Sequence, residues 1–293
     1  MDLSLKIDEI QADDLSVEDF RENYLKKQVP CVIKGFSKLF PAGEKWTLDF
    51  FKNYLGDFEV GVFDNSIKTN TAYVKPDLMM PFSEFIDTIK KDEETPYRLF
   101  LFDMFKEFPE LKNDFQTPDI IKGVLGHLGF AFFGGKNTEV RFHYDIDASS
   151  VLMTQFIGKK RVILIAPEYE DLIYKVPYAS FSLIDLDNPD YEKFPGLKYV
   201  KGYDFVLEAG DSLFMPSRYW HYNTYLEGGM AVAYRAMANT ATDFYNGLMN
   251  TSVRILLDKS MNKLKKEKWM ESKTRMAIKN AERKIKKLEK ELK

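Results

Sequence analysis

Imidazole chemistry in this 293-residue chain can draw on only three side chains, His127, His143 and His221. The single cysteine, Cys31, excludes a disulfide framework and any zinc or iron–sulfur site built on several cysteines. Asp145 lies two residues after His143, and on a β-strand side chains two apart share one face. An imidazole beside a carboxylate suits a divalent metal of intermediate softness, such as Fe(II). Taken alone, a His-x-Asp pair is weak evidence, because a histidine that simply packs or faces solvent is more common.

A second stretch with chemical potential runs from Glu208 to His221. Gly210-Asp211 predicts a turn, a short apolar strand follows, and Trp220-His221 comes shortly after Pro216. The simplest interpretation is a hairpin that ends in a packed histidine. If His221 instead joined His143 and Asp145, two imidazoles and one carboxylate would form a facial triad. Such a triad leaves coordination positions open for oxygen activation.

The elements that must position these side chains are mostly short strands. From about Tyr97 to Met237, runs rich in Val, Ile, Phe and Tyr alternate with Gly, Pro, Asn and Asp, which predicts a sandwich or barrel of the jelly-roll type. The predicted strands are Leu99–Phe102, Gly129–Phe133, Val151–Phe156, Arg161–Ala166, Phe205–Leu207, Ser212–Met215 and Met230–Met237, with an earlier one at Pro30–Gly35.

Helices are predicted on both sides of this β-rich region. Ser16 and Thr47 have the spacing of N-caps, Gly56 ends the second helix, and Pro81-Phe82 opens a third. An earlier C-terminal helix is expected over about 246–264. Farther along, Ile278, Ala281, Ile285, Leu288 and Leu292 follow a heptad seam of about two repeats, which suits packing either on the body or against a second copy.

The net charge of −3 hides a strong asymmetry. Residues 254–293 carry 15 basic and 6 acidic side chains, a net charge of +9, and the rest of the chain carries 27 and 39, a net charge of −12. A basic tail can attract nucleic acid or an acidic partner. Because lysines and glutamates are interleaved, a solvated helix that contacts its own acidic body is the simpler interpretation.

No signal peptide is visible at the N-terminus, and no apolar run approaches the roughly 20 residues that span a bilayer. We therefore expect a soluble, cytoplasmic protein, which also fits the single cysteine.

Together the motifs resemble those of the JmjC, or cupin-like, Fe(II)- and 2-oxoglutarate-dependent dioxygenases. They are, in order, His143-x-Asp145, Gly158-Lys159-Lys160-Arg161-Val162-Ile163-Leu164 and Leu207-x-x-Gly210-Asp211-x-Leu213-Phe214-x-Pro216-x-x-x-Trp220-His221. The resemblance runs from about residue 16 to residue 238 and is strongest to the small hydroxylase branch, which contains a protein asparaginyl hydroxylase and a tRNA wybutosine hydroxylase.

The resemblance implies a fold that is mainly β with flanking helices. A double-stranded β-helix core of the cupin or jelly-roll type would span residues 97–240. A lead-in at 1–96 would pack on it, and a C-terminal helical module would follow at 241–293.

The resemblance also implies a role for each site residue. His143, Asp145 and His221 would bind Fe(II) and so be the catalytic residues. Lys160 would hold the far carboxylate of the cosubstrate, 2-oxoglutarate, although a register slip of one residue would exchange it with Lys159.

Further roles follow from nearby positions in the family. Tyr97 matches the place of a tyrosine that reaches the cosubstrate. Tyr144 would face away from the iron, and His127 is expected to be structural. Arg235 would bind the cosubstrate or a substrate carboxylate, or would face outward from its strand.

The chain departs from its relatives around the site. The spacing from His-x-Asp to the lysine is one residue longer, which predicts a bulge or a longer turn. Ser149 or Ser150 replaces an asparagine, and Val140 stands where a threonine is expected. These departures affect the surroundings of the iron site more than its ligands, and an inactive metal-binding relative stays open.

The expected reaction is hydroxylation of a C–H bond coupled to decarboxylation of 2-oxoglutarate. A protein or peptide side chain is the first choice of substrate. A modified RNA base, held through the basic tail, and demethylation of a methylated lysine or arginine are alternatives, and so is a metal-binding cupin without activity. A homodimer through the C-terminal helices is also expected, and no membrane partner.

Overall fold

The strands form two sheets in a computed structural model of the chain, which describes residues 1–67, 75–91, 93–121, 129–236 and 240–291. In chain order they are β1 (Asp8–Gln11), β2 (Cys31–Lys34), β3 (Glu59–Asp64), β4 (Leu78–Pro81), β5 (Tyr97–Phe102), β6 (Gly129–Gly134), β7 (Glu139–His143), β8 (Ser150–Ile157), β9 (Lys160–Ile165), β10 (Gly202–Leu207), β11 (Ser212–Met215), β12 (Trp220–Tyr225) and β13 (Gly229–Ala236).

The α-helices lie at the two ends of the chain and between the early strands. They are α1 (Val17–Phe20), α2 (Ala42–Lys45), α3 (Leu48–Leu55), α4 (Phe82–Ile89), α5 (Met104–Glu107), α6 (Ala241–Met249) and α7 (Ile255–Glu291). Helices α1 and α6 each continue into a π-helical turn, Arg21–Leu25 and Asn250–Arg254. Short 3-10 helices occupy Ala12–Asp14, Phe36–Leu39, Pro109–Asn113, Asp119–Ile121, Pro167–Tyr169 and Pro195–Tyr199.

The larger sheet has nine strands in the order β1-β2-β11-β8-β13-β6-β5-β3-β4, and the smaller has four in the order β10-β9-β12-β7. Strands β1 and β2 pair in parallel, and the other named pairs are antiparallel. This is the β-rich core with flanking helices that was predicted. The four earliest strands, all within residues 1–96, belong to the larger sheet.

On the strands that carry the site, side chains alternate between the space enclosed by the sheets and the outer faces, except where a bulge shifts the register. On β12, His221 and Asn223 point inward, whereas Trp220 and Tyr222 join an apolar cluster outside the smaller sheet. Part of the enclosed space is filled by an apolar cluster from β2, β8–β11 and β13, in which Val162 of β9 is fully buried. Burying such a side chain contributes about 1.5–3 kcal/mol. The site described below adjoins this cluster, because Met153 and Met215 also line its cavity.

Helices close the outer faces, and their ends match the sequence signals. Ser16 Oγ accepts a hydrogen bond from the Asp19 amide and begins α1, and Thr47 Oγ1 accepts from the Phe50 amide at 3.0 Å and begins α3. Gly56, at φ 52°, ends α3 as predicted. Helices α3 and α4 bury phenylalanines against the larger sheet, while α7 covers the smaller sheet.

The extra residue predicted between the His-x-Asp motif and the lysine is a β-bulge. In the pairing of β8 with β13, Gln155 faces Ala231 and Ile157 faces Met230, so Phe156 is left without an opposite residue. Gly158 then turns the chain toward β9 at φ 71°. Because the bulge takes up the extra residue, the alternation of side chains along the strand places Lys160 in the space between the two sheets.

The C-terminal helix α7 is broken at Lys266, whose φ of 43° and ψ of −119° are not helical. Asp258, before the break, accepts hydrogen bonds from Trp269 Nε1 at 2.8 Å and Lys273 Nζ at 2.7 Å after it. The predicted seam packs on the body through Ala281, which is fully buried, together with Ile285 and Leu288. Ile278 remains exposed, and Leu292 lies outside the described residues.

None of the helices in the described ranges combines the length and the apolar character needed to cross a bilayer.

Candidate metal centre and its cavity

The three predicted ligands converge at one end of the enclosed space. His143 ends β7 and pairs directly with His221 on β12. One ligand atom from each of His143, Asp145 and His221 lies within 4.8 Å of the others. The two imidazole rings have centroids 4.2 Å apart. This donor set, two nitrogens and one oxygen, is the facial arrangement that suits Fe(II).

Asp145 reaches the site from a turn and not from the strand face that it would share with His143 if the segment were a strand. Strand β7 ends at His143, and the Asp145 carbonyl accepts a hydrogen bond from the Ala148 amide at 3.0 Å. Ala148 has a φ of 53°, which tightens the turn. Tyr144 points the other way, as expected, and packs on Trp220 with ring centroids 5.0 Å apart.

Backbone carbonyl groups orient both imidazoles. His143 Nδ1 lies 2.6 Å from the Arg141 carbonyl oxygen, and His221 Nδ1 lies 3.1 Å from that of Tyr219. Each Nδ1–H donates to its carbonyl, so each Nε2 is left with a lone pair for a metal ion.

The charge states also suit a metal ion. Burial and the neighbouring His221 lower the pKa of His143 to about 3, so its imidazole is neutral at pH 7. Burial alone would raise the pKa of Asp145, but Arg235 and the two histidines outweigh it and lower that pKa to about 2. Neutral imidazoles and an ionised carboxylate are the forms that bind metals.

Arg235 holds the carboxylate in place and does not face outward. Its Nη2 donates to Asp145 Oδ1 at 2.8 Å, and its Nη1 donates to Asp147 and to Ser149 Oγ, the latter at 3.2 Å. Ser149 therefore supports Arg235. Ser150, the other candidate to replace the family's asparagine, lies 3.2 Å from Ser217 Oγ and does not line the cavity.

Helix α6 supports the loop that carries Asp145. A Cβ atom at Gly247 would lie 2.2 Å from the Asp147 carbonyl oxygen, so only glycine allows this approach. Asn250 is buried and its Nδ2 donates to the Ile146 carbonyl at 3.0 Å. The C-terminal helices are thus in direct contact with the ligand loop.

From the triad a narrow cavity of about 50 Å³ runs between the sheets. Its wall includes the predicted Val140 and Lys160, together with Phe132, Met153 and Met215. Asp145 is the only acid among the described residues that line it. The cavity is therefore mostly apolar, with cationic groups at both ends.

The structure separates the two candidate lysines clearly. Lys160 is 2% exposed and its Nζ lies 4.2 Å from the centre of the Tyr225 ring, with no ion pair among the described residues. Lys159 is only half-buried and forms ion pairs with Glu208 at 3.3 Å and Glu227 at 3.8 Å. Burial, and then the charge of Arg98, lower the pKa of Lys160 to about 7.

Sequence reasoning missed three residues that line this cavity, Arg98, Asn223 and Tyr225. Their positions follow from the two-residue period: Asn223 and Tyr225 lie two and four residues after His221 on β12. Tyr97 does not line the cavity, since its side chain packs on the core outside the larger sheet. His127, predicted to be structural, lies outside the described residues.

Comparisons with known proteins agree with this geometry. A model of the cupin-like domain family matches residues 17–237. The tRNA wybutosine-synthesizing protein 5 of Gallus gallus is 28% identical over 244 residues, which cover 75% of this chain and 74% of that protein.

Two demethylases match the same region. Lysine-specific demethylase JMJ30 of Arabidopsis thaliana is 28% identical over 235 residues, which cover 75% of this chain and 52% of that protein. Lysine-specific demethylase 8 of Xenopus tropicalis is 27% identical over 231 residues, covering 75% and 50%. The chain thus spans about half the length of these demethylases.

Proposed function

The chain belongs to the cupin-like domain family, as its motifs predicted, and we propose that it uses Fe(II) and 2-oxoglutarate to hydroxylate a C–H bond. The observation that carries this proposal is one cavity with His143, Asp145 and His221 at one end and, at the other, the buried ammonium of Lys160, which forms no ion pair with any described residue. Such a cavity matches a cosubstrate that binds a metal ion at one end and presents a carboxylate at the other.

The residues present fit both groups. The donor set is that of a non-haem Fe(II) site, and its imidazoles are already oriented by the Arg141 and Tyr219 carbonyls. An ammonium buried without a counter-ion is unfavourable, and an incoming carboxylate would relieve it. When bound, the iron and its cosubstrate supply the oxygen chemistry.

The chain's own groups bind, orient and exclude water. Arg235 holds Oδ1 of Asp145, which leaves the second carboxylate oxygen for the metal. Phe132, Met153 and Met215 provide apolar walls that keep water from the reacting centre.

Release of succinate tests the proposal. Purified protein with Fe(II) and 2-oxoglutarate should release succinate, and His143→Ala or Asp145→Ala should abolish both iron binding and turnover. Asp13→Ala, at an exposed acid far from the triad in sequence, is the matched control and should be fully active. Succinate production that survives in either ligand variant would refute the assignment of the site.

A protein side chain is the proposed substrate. Both demethylases described above are named as lysine-specific, which supports a protein substrate. A modified RNA base is the second candidate, supported by the wybutosine-synthesizing relative and by the lysines exposed along α7. Demethylation of a methylated lysine or arginine is a third, since an arginine-specific demethylase also matches. A peptide and RNA panel, read for a mass gain of one oxygen atom or the loss of a methyl group, separates them.

If RNA is the substrate, its binding should weaken steeply with salt, because phosphate contacts release counter-ions. Deleting residues 254–293 should remove that binding. RNA binding that is insensitive to salt, or that survives the deletion, would count against the RNA candidate. A metal-binding cupin without activity would bind Fe(II) and release no succinate with any member of the panel.

We also propose a homodimer through the C-terminal helices. Large apolar side chains are exposed along α6 and the start of α7, including Leu248 (54%), Leu256 (60%) and Leu264 (77%). A second copy would cover them, and each Å² of apolar surface removed from water would stabilise the dimer by about 25 cal/mol.

Light scattering tests the dimer. The wild-type protein should have twice the chain mass, and Leu256→Glu should shift it toward the monomer. Leu39→Glu, at a leucine that is 50% exposed elsewhere, is the control and should remain dimeric. A monomeric wild-type protein would exclude the proposed dimer. A cytoplasmic location is proposed as well, because the lone Cys31 is buried and unpaired.

A further inference from the structure

A second pocket, called here the rear pocket, lies behind the loop that carries Asp145. It has a volume of about 340 Å³ and is bounded by that loop, by α6 and α7, and by the segment 170–179. Tyr144 and Ile146 line it, whereas Asp145 between them lines the metal cavity. A molecule in the rear pocket would therefore contact both chain neighbours of a metal ligand.

The wall of the rear pocket carries hydrogen-bonding groups that the described part of the chain leaves unused. The side-chain amides of Asn246 and Asn280 and the hydroxyl of Tyr178 form no hydrogen bond with a described residue. They belong to α6, to α7 and to the segment 170–179, so they face the pocket from three sides. Each of them can donate a hydrogen bond to a ligand.

The charges in the rear pocket leave one cation over. Its wall has three cations, Lys175, Arg218 and Arg254, and two acids, Glu170 and Asp171. Glu170 pairs with Lys175 at 2.6 Å and with Arg218 at 3.5 Å, and the charge of Lys175 also acts on Asp171. Arg254 forms no ion pair with any described residue. Its guanidinium is therefore the group in this pocket that an anion would pair with.

Hydrogen bonds connect this guanidinium to the ligand loop. Arg254 Nη1 donates to Asn250 Oδ1 at 2.6 Å, and Asn250 Nδ2 donates to the Ile146 carbonyl at 3.0 Å. An arginine has more N–H donors than this one contact uses, so a ligand can bind without breaking it. An anion that fixes Arg254 would thus also steady the residue that follows Asp145.

The volume and the donors together indicate the class of ligand. A phosphate group accepts hydrogen bonds from several directions and pairs with arginine through two parallel N–H bonds. Small-molecule sites have volumes of roughly 300–1,000 Å³, so the pocket has room for an organic body beside the anion.

We infer that the rear pocket binds a small molecule that carries a phosphate group, with Arg254 as its anion-binding residue. This site is separate from the metal cavity and does not depend on the proposed oxygenase reaction. Because the pocket and the metal share one loop, the phosphate and a metal ion at Asp145 should each favour the binding of the other.

Isothermal titration calorimetry on the metal-free, full-length protein at constant ionic strength tests the site. The probes are inorganic phosphate and ribose 5-phosphate, and the wild-type protein should bind both, the sugar phosphate more tightly. Arg254→Gln should lower both affinities about ten- to a hundredfold. Arg283→Gln, at an exposed arginine of α7 outside the pocket, is the matched control and should behave as wild type.

Three results would overturn the inference. The first is a wild-type protein that binds neither probe. The second is equal binding in Arg254→Gln and Arg283→Gln, which would mean that phosphate binds elsewhere on the surface. The third is displacement of ribose 5-phosphate by a short RNA, which would assign the pocket to a nucleic-acid backbone. If Arg254→Gln does not fold, Asn280→Asp carries the test, because its carboxylate should repel phosphate, and an unchanged affinity there overturns the inference.

The affinity for Mn(II), measured by electron paramagnetic resonance, tests the coupling. Sulfate is the tetrahedral probe here, because manganese phosphate is poorly soluble. Compared with chloride at equal ionic strength, sulfate should raise the Mn(II) affinity of wild type about fivefold and leave that of Arg254→Gln unchanged. An equal affinity in both salts would overturn the coupling alone. A wild-type protein that binds phosphate but no Mn(II) would overturn the metal centre of the proposed function and leave the phosphate site standing.

Discussion

Replacing Lys160 by methionine should change how the stability of the ligand-free protein depends on pH. The ordinary pKa of a lysine is 10.5, and burial beside Arg98 lowers that of Lys160 to about 7 in the folded protein. Between these two values the unfolded chain binds more protons at this residue than the folded chain does. Stability must therefore rise with pH across that window, and below about pH 7 the whole penalty is present.

The size of the effect follows from the two pKa values. One unit of pKa difference corresponds to about 1.4 kcal/mol, so the full penalty is about 5 kcal/mol. Integrated from pH 7 to pH 9, the contribution of Lys160 to the free energy of unfolding increases by about 2 kcal/mol. Lys160→Met fills the same space without a charge and should lack this increase.

Urea unfolding at pH 7, 8 and 9 measures the effect. The quantity of interest is the difference in unfolding free energy between wild type and variant at each pH, because the other titrating groups cancel in it. The variant should be more stable at pH 7, and the difference should shrink by about 2 kcal/mol at pH 9. Lys159→Met, at the half-buried neighbour that pairs with Glu208, should show no such slope.

A ligand provides the internal check. With Mn(II) and 2-oxoglutarate present, the bound carboxylate stabilises the ammonium of Lys160, so its pKa rises and the slope should flatten. Parallel pH profiles for wild type and Lys160→Met in the ligand-free protein would refute the reasoning, since they would mean that an acid already compensates the charge.

Two further substitutions have expected outcomes that the structure sets. Asn223→Leu removes an amide whose Oδ1 is buried without a partner among the described residues. Thermal unfolding should therefore show that the ligand-free variant is about 1 kcal/mol more stable than wild type. A loss of stability would mean that the Asn223 amide has a hydrogen-bond partner in the folded protein. Gly247→Ala places a Cβ atom 2.2 Å from the Asp147 carbonyl oxygen. This clash should lower the free energy of unfolding by about 1–3 kcal/mol and weaken Mn(II) binding at Asp145. An unchanged affinity for Mn(II) would show that α6 does not support the loop that carries Asp145.

Much of the architecture could be read from local patterns. The predicted strands Ser212–Met215 and Pro30–Gly35 match β11 and β2 to within two residues at each end, and the caps at Ser16 and Thr47 are where the spacing placed them. These signals act over a few residues. Strands β1, β3, β4, β7 and β12 are not among the predicted strands, because their stability comes from pairing with distant parts of the chain.

The residues of the candidate site also differ in whether a local sequence signal predicts them. His143, Asp145, His221 and Lys160 lie in motifs with fixed spacing, so the resemblance could suggest them. Arg98 carries no such signal: it follows Tyr97 on a strand, and only the register of β5 decides which of the two faces the cavity.

Arg235 shows the limit of reading one strand at a time. Its inward direction follows from the two-residue period of β13, but its contacts with Asp145 and Asp147 depend on a turn that lies 88–90 positions earlier in the chain. A sequence pattern can assign a side chain to one face of a strand, but it does not identify the distant residues that the side chain contacts.

The contact of α6 with the ligand loop sets an order of events during synthesis. A chain emerges from the ribosome N-terminus first, at roughly 5–20 residues per second. His143 and Asp145 are therefore made some hundred residues before Gly247 and Asn250, which hold their loop. A nascent chain that has just completed β13 contains every ligand but lacks this support. The candidate metal centre thus gains this support only after α6 has been made, so a chain that stops at the end of β13 has all three ligands on a loop that α6 does not yet hold.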